Sequence, residues 1–259
     1  MIMTKNPLIS IKNLTVRFGD NLVLDDISFD VYEGEIFVIL GESGCGKTTL
    51  LRHMLGLLPP ENGEVLIDGV NIVKADEKTR GKILKNVGVL FQSGALLKSL
   101  TLGENIALPL RETTKLPKSL IDDVIRLKLG MVNLDKREHL MPSEMSGGMQ
   151  KRGGLARAIA LDPKMLFFDE PSAGLDPITS VELDDLIIGL NKNLNTTMIV
   201  VTHELQSIFK IAHRTIMLDR DSHKIVAEGK PLEMRDNSDN PRVRAFFRRE
   251  NLEENQVLK

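Results

Sequence analysis

The chain has 259 residues, 42% of them hydrophobic, enough to bury the core of one large domain or two small ones. A formal net charge of -2 gives no global field for nucleic acid, and a single cysteine, Cys45, excludes an internal disulfide and fits a reducing compartment. The apolar runs "IFVIL" and "MLFF" fall far short of the roughly 20 residues of a membrane span, and "MIMTKNPLIS" at the start lacks the apolar run of a signal peptide.

In chain order, "LISIKNLTVRFG" and "LVLDDISFDV" alternate apolar and polar residues, which predicts half-exposed strands of an antiparallel unit. "GEIFVILG" places consecutive apolar residues between Gly34 and Gly41, the pattern of a strand covered on both faces in a parallel sheet. "KTTLLRHMLGLL" is then predicted as a helix stopped by "PPENG", and "GEVLIDGVNI" as short strands. From about Thr101 to Glu144, helical spacing interrupted by Pro109, Pro117 and Pro142 predicts an all-helical insertion. The α/β core resumes with a helix from Gln150 to Leu161, the strand "KMLFFD", a helix from Ser180 to Leu190, the strand "TTMIVVTH" and the helix "ELQSIFKIA". "RTIMLDRDSHKIVAEG" reads as a hairpin, and "VRAFFRRENLEENQVLK" as a tail helical at first and frayed at its end.

The motifs follow this scaffold. "GESGCGKTT", Gly41 to Thr49, carries the G-x-x-x-x-G-K-[ST] spacing between a buried strand and a helix. Its glycines let successive backbone N–H groups converge on phosphate oxygens, Lys47 can reach the β- and γ-phosphates, and the Thr48 hydroxyl suits Mg²⁺. Cys45 reads either as a small residue filling a small place or as a thiol made reactive by its loop. "MLFFDEP" puts Asp169 and Glu170 at the end of an apolar strand. Asp169 is the expected Mg²⁺ carboxylate, directly or through water, and Glu170 can orient the attacking water or take its proton. His203, ending "TMIVVTH", caps the next helix, packs beside the sheet or, in the sharper reading, donates to a terminal phosphate; Gln92 in "VLFQSG" is, from its residues alone, a polar strand end. The histidines and the cysteine have no zinc-ligand spacing. "SEMSGGMQKR" leaves two readings open, a serine cap with glycines before a helix or a segment that holds a ligand.

Taken in order, these segments resemble the nucleotide-binding subunit of ABC transporters over nearly the whole chain. "GESGCGKTT" is similar to the Walker A segment, with Gly41, Glu42, Ser43, Gly44, Cys45, Gly46, Lys47, Thr48 and Thr49 around ATP. Gln92 matches the Q-loop, "MSGGM" the signature, "MLFFDE" the Walker B strand, "SAGLDP" the D-loop and His203 the switch histidine. The resemblance implies a P-loop NTPase core with a parallel sheet, an N-terminal antiparallel β subdomain and an inserted helical subdomain. One domain of residues 1–259 is expected, divided at 1–100, 101–149, 150–240 and a helical tail of 241–259. It also implies ATP with Mg²⁺, held by Thr48, Gln92 and Asp169, and hydrolysis that uses Glu170, His203, Lys47 and Gln92. Ser146, Gly147 and Gly148 would complete the ATP site of a second copy of the chain. Two departures stand out: Phe18 replaces the usual stacking tyrosine, and Met149 replaces the usual glutamine of the signature.

"FQSGALLKSLTLGENIALPLRE" and "MSGGMQKRGGLARAIALDPKMLFFDEPSAGLDP" are further similar to the ATPases of Mla-type phospholipid transport systems, relatives of the toluene-tolerance and mammalian-cell-entry transporters. That likeness implies two copies beneath a permease dimer at the cytoplasmic face of the inner membrane. It also implies a periplasmic lipid-binding subunit and a small cytoplasmic STAS-domain partner, and no nucleic acid. Leu96, Leu97 and Leu100 are expected to form an apolar docking patch for the permease. An ABC ATPase for an amino acid or a metal, and a non-transport ATPase of DNA repair or translation, are the alternatives. The last usually carries tandem nucleotide domains or a long coiled-coil insertion, which this chain lacks.

Overall fold

The computed structural model describes residues 6–250. The chain runs β1 (Ile9–Phe18), β2 (Asn21–Val31), β3 (Ile36–Gly41), α1 (Lys47–Met54), β4 (Asn62–Ile67), β5 (Val70–Asn71), α2 (Glu77–Leu84) and β6 (Val87–Leu90). It continues with α3 (Leu102–Thr113), α4 (Lys118–Met131), α5 (Gly147–Ala158), β7 (Met165–Asp169), α6 (Pro177–Leu194) and β8 (Thr197–Val201). Last come α7 (Leu205–Ile211), β9 (Arg214–Leu218), β10 (Ile225–Gly229), α8 (Pro231–Asn237) and α9 (Pro241–Arg248). Two compact units result, one made of the chain up to Ala75 and from Val201 onward, the other of Asp76–Val200.

In the first unit an antiparallel sheet has the order β2-β1-β4-β5, with Ile9 opposite both Val31 and Ile67. Its inward residues Ile9, Ile11, Leu14, Leu24 and Ile27 are buried, as the alternation predicts. Strand β3 is buried at every position and pairs in parallel with β9, which pairs antiparallel with β10. Phe37 of β3 stacks on Phe29 of β2 with ring centroids 5.2 Å apart. Beside them the Arg214 guanidinium pairs with Glu35 at 2.7 Å and with Glu228, and lies 4.8 Å from the Phe37 ring centroid. Helix α1 ends at Met54, before the two prolines expected to stop it, because Gly56 turns the chain at φ 63°.

The second unit contains the strands β8-β7-β6, with β6 and β7 parallel from Val87–Met165 to Leu90–Phe168. The expected helical insertion is present as α3 and α4; Thr101 and Glu104 form a capping box at the start of α3, which tolerates Pro109 within it. Helix α5 begins at Gly147 rather than Gln150 and stops at Ala158, since Ser146 caps it. Helix α6 is longer than the predicted Ser180–Leu190, running from an Asp176 cap to Asn195 at φ 50°. The sequence reading missed α2 and α8. Helix α2 buries no residue and is set by its cap, Asp76 accepting from Thr79 N, so it has no apolar period to find. The predicted helical start of the tail is α9; its predicted frayed end lies outside the described residues. Among the described residues no helix is long and apolar enough to cross a membrane.

Candidate functional site

The loop between β3 and α1 is shaped by its glycines. Gly44 has φ 81° and Gly46, the residue before α1, φ 99°, both in the left-handed region that L side chains rarely adopt. A Cβ on Gly46 would also stand 2.9 Å from Leu24 Cδ2. Lys47 is buried beneath the loop, where its Nζ donates to Gly41 O at 2.8 Å and Glu42 O at 2.9 Å. The ammonium is therefore held by the loop it serves, while Glu42, Ser43 and Gly44 face outward. Cys45 is buried, and that burial pushes its thiol pKa up against the opposing charge of Lys47, so the small-residue reading is the one the geometry supports. Thr48 and Thr49 are half-buried on the first turn of α1. Backbone N–H groups at a helix start, left-handed glycines and a fixed cation make an anion cradle suited to phosphate.

Two further candidates belong to this unit. Phe18 ends β1 as an exposed residue, 54% accessible, available as an apolar face. His203 follows β8 with its side chain exposed, Nε2 3.8 Å from Glu204 Oε1. The Thr202 hydroxyl, one residue before it, accepts from Glu204 N at 3.1 Å, at the start of α7.

In the second unit Asp169 ends β7 in a buried position, and Glu170 follows at φ 49°, a left-handed conformation for a residue with a side chain. Gln92 lies exposed after β6, in a turn closed by Gly94 N donating to Phe91 O at 2.8 Å. Arg157 of α5 holds that turn from behind, donating to Ala95 O at 2.8 Å and Gly94 O at 3.3 Å. Of the expected leucine patch, Leu97 is exposed, but Leu96 and Leu100 are half-buried, and Leu96 packs toward Gly153 of α5. Asn105 fixes the segment, accepting from Leu97 N at 2.8 Å and donating to Thr101 O at 2.9 Å.

Ser146, Gly147 and Gly148 lie together at the N-terminus of α5. The Ser146 hydroxyl accepts from Met149 N at 3.3 Å, so the cap predicted for it exists. A Cβ on buried Gly148 would be 2.6 Å from Thr179 Cγ2, which explains that glycine by packing. Gly147 differs: it is exposed, it is not among the residues of positive φ, and a Cβ there would meet nothing within 4 Å. Among the described residues neither backbone conformation nor packing requires a glycine at that position. The Gln150 amide is committed to Pro142 O and Met145 O at 2.9 and 3.1 Å, so it does not replace the missing signature glutamine, and Met149 is half-buried. In the D-loop segment Asp176 caps α6, and the Thr179 hydroxyl and N–H hold its carboxyl below the usual range.

Sequence reasoning missed Lys151 and Arg157. Both are cations on α5 whose partners are main-chain carbonyls distant in sequence, a pairing without a sequence signal.

Residues 24–173 match the family model described as ABC transporter. The Haemophilus influenzae intermembrane phospholipid transport system ATP-binding protein MlaF is 45% identical over 86% of this chain and 83% of its own length. A Mycobacterium leprae protein named probable ribonucleotide transport ATP-binding protein mkl is 42% identical over 92% of this chain and 68% of its own. Among solved structures, a dimeric ATP-binding cassette in a post-hydrolysis state bound to ADP and Pi superposes with a TM-score of 0.78, at 30% identity over 86% of this chain and 98% of that one.

Proposed function

The chain belongs to the ABC transporter family, and from that premise we propose that it is the ATP-hydrolysing subunit of a phospholipid transporter working between the inner and outer membranes. In this reading two copies sit at the cytoplasmic face of the inner membrane beneath a pair of permease subunits, joined by a periplasmic lipid-binding subunit and a small STAS-domain protein. The observation that carries the two-copy site is Gly147. A glycine in a helix costs up to about 1 kcal/mol relative to alanine, and here neither backbone conformation nor packing repays it. Its bare, outward surface at a helix N-terminus supports close approach by a phosphate held on another chain.

Within each copy the phosphate cradle of Gly44, Cys45, Gly46 and Lys47 binds the ATP phosphates, and Phe18 stacks on the adenine. Mg²⁺ fits the donor set, since it takes few protein oxygens beside substrate phosphates, and the Thr48 hydroxyl, the Asp169 carboxylate and the Gln92 amide oxygen are such donors. When bound, the ion neutralises charge on the phosphate oxygens. Glu170 orients the attacking water and accepts its proton, and His203 donates to the terminal phosphate. Leu97 contributes to the permease contact.

The test is purification of the full chain with its membrane subunits, mass spectrometry of bound lipid, and ATPase assays in phospholipid vesicles. Copurifying phospholipid and turnover that responds to it are expected. Turnover that responds instead to ribonucleotides, the cargo in the M. leprae name, overturns the lipid assignment. Glu170→Gln should cut hydrolysis by about 10²- to 10⁴-fold and trap an ATP-bound pair; near-normal turnover removes Glu170 from its role.

A further inference from the structure

We infer that Lys151 is a positioning residue for hydrolysis: its ammonium clamps the loop that carries Glu170 to the helix that carries the signature segment. This rests on the role of Glu170 proposed above. Lys151 lies four residues after Gly147 on α5 and is buried. Its Nζ donates to Pro171 O at 2.6 Å and Ala173 O at 2.5 Å, with Glu170 O at 3.5 Å. An ammonium has three donors and no acceptor; two are taken by Pro171 O and Ala173 O, and the longer contact to Glu170 O is a weak third.

The clamped loop needs restraint. Glu170 is held at φ 49°, a conformation that costs a residue with a Cβ and persists only where its surroundings enforce it. The turn after it is closed by Ala173 N donating to Glu170 O at 3.2 Å and Leu175 N to Ser172 O at 3.0 Å. Ser172 is buried, and its hydroxyl has no hydrogen-bond partner, so that side chain does not fasten the loop. Lys151 supplies the connection from outside the loop. Burial pushes its ammonium below the ordinary lysine value, and the charge of Glu170 opposes that shift. The consequence is mechanical. A shift of the first turn of α5, where Ser146 and Gly147 lie, is transmitted to the backbone of Glu170 and to the D-loop segment through one buried cation.

The experiment is a double-mutant cycle on the full chain purified with its membrane subunits, using Lys151→Met to keep the aliphatic stem and remove the donors. Turnover should fall by about 10- to 100-fold, as expected for a misplaced reacting group, with ATP affinity and KM within about two-fold of the parent. Lys151→Arg, which keeps charge and donors, should recover most of the loss. In a Glu170→Gln background, Lys151→Met should lower the residual release of radiolabelled phosphate no further. Unchanged turnover in Lys151→Met, or an equal loss in both backgrounds, overturns the clamp while leaving Glu170 in place. Near-normal turnover in Glu170→Gln alone overturns the role of Glu170 and the clamp with it. If Lys151→Met does not fold, Lys151→Gln, too short to reach the same carbonyls, provides the same comparison.

Discussion

The phosphate loop and the segment at the start of α5 are both short, glycine-bearing and placed at a helix N-terminus, yet their glycines have different causes. In the phosphate loop the causes are internal: Gly44 and Gly46 sit at φ 81° and 99°, and Lys47 is tied to two carbonyls of its own loop. At the start of α5 the helix is regular, Ser146 caps it, Gly148 is explained by Thr179, and Gly147 is explained by nothing within the chain. One segment gathers its glycines and its lysine around its own loop, whereas the other, in the reading proposed above, would complete a site on a second copy. Open space for a Cβ is shared by Gly81 of α2 and Gly189 of α6, so what sets Gly147 apart is its place in the first turn of a helix beside Ser146.

This contrast can be broken most decisively by mixing two chains. In the proposed two-copy assembly, one chain with Ser146→Arg is paired with one carrying Lys47→Ala. One composite site then receives both defects and the other neither. The doubly defective site should be silent and the intact one should still close on nucleotide, measured by nucleotide trapping at one site per pair. Crosslinks placing Ser146 beside Gly44 and Lys47 of its own chain would remove the contrast.

A smaller effect is expected from Gly46→Ala. The left-handed φ and the 2.9 Å approach to Leu24 both oppose a Cβ, so the loop must distort. ATP affinity should drop by about 5- to 150-fold, taking roughly 1–3 kcal/mol as the cost of a residue forced into such a conformation. Calorimetry showing parental affinity would mean that the cradle tolerates the side chain.

The smallest and sharpest effect belongs to Gly147→Ala. Because the added methyl meets nothing and the φ is not left-handed, the substitution should stabilise the chain by up to about 1 kcal/mol, raising the melting midpoint by roughly 2–4 °C. ATP affinity should be unchanged and turnover reduced. A stabilised protein with full turnover would make Gly147 incidental and end its distinction from Gly148.

By itself the sequence determined the order of the strands and of the helices other than α2 and α8, the buried β3 and β7, the helical insertion and the positions of both glycine segments. These are written in local apolar period and motif spacing, which a linear reading detects. Helix ends were legible only where a period carried them: Gly56 stopped α1 early, and α2, which buries nothing, left no trace beyond its Asp76 cap. The two readings of "SEMSGGMQKR" were both present in the sequence, but the separate reasons for Gly147 and Gly148 required coordinates, because Thr179 lies 31 residues away from Gly148. Likewise, only the tertiary structure decided that the Gln150 amide donates to Pro142 and Met145, that the Thr202 hydroxyl meets Glu204 N, and that Lys151 and Arg157 brace loops. In each case the partner is a main-chain group or a methyl, supplied by a distant segment for Gly148, Lys151 and Arg157 and by a neighbouring turn for Gln150 and Thr202. Backbone carbonyls are the same in every residue, so which one a side chain meets is settled by the packing of the chain and not by the residue types along it.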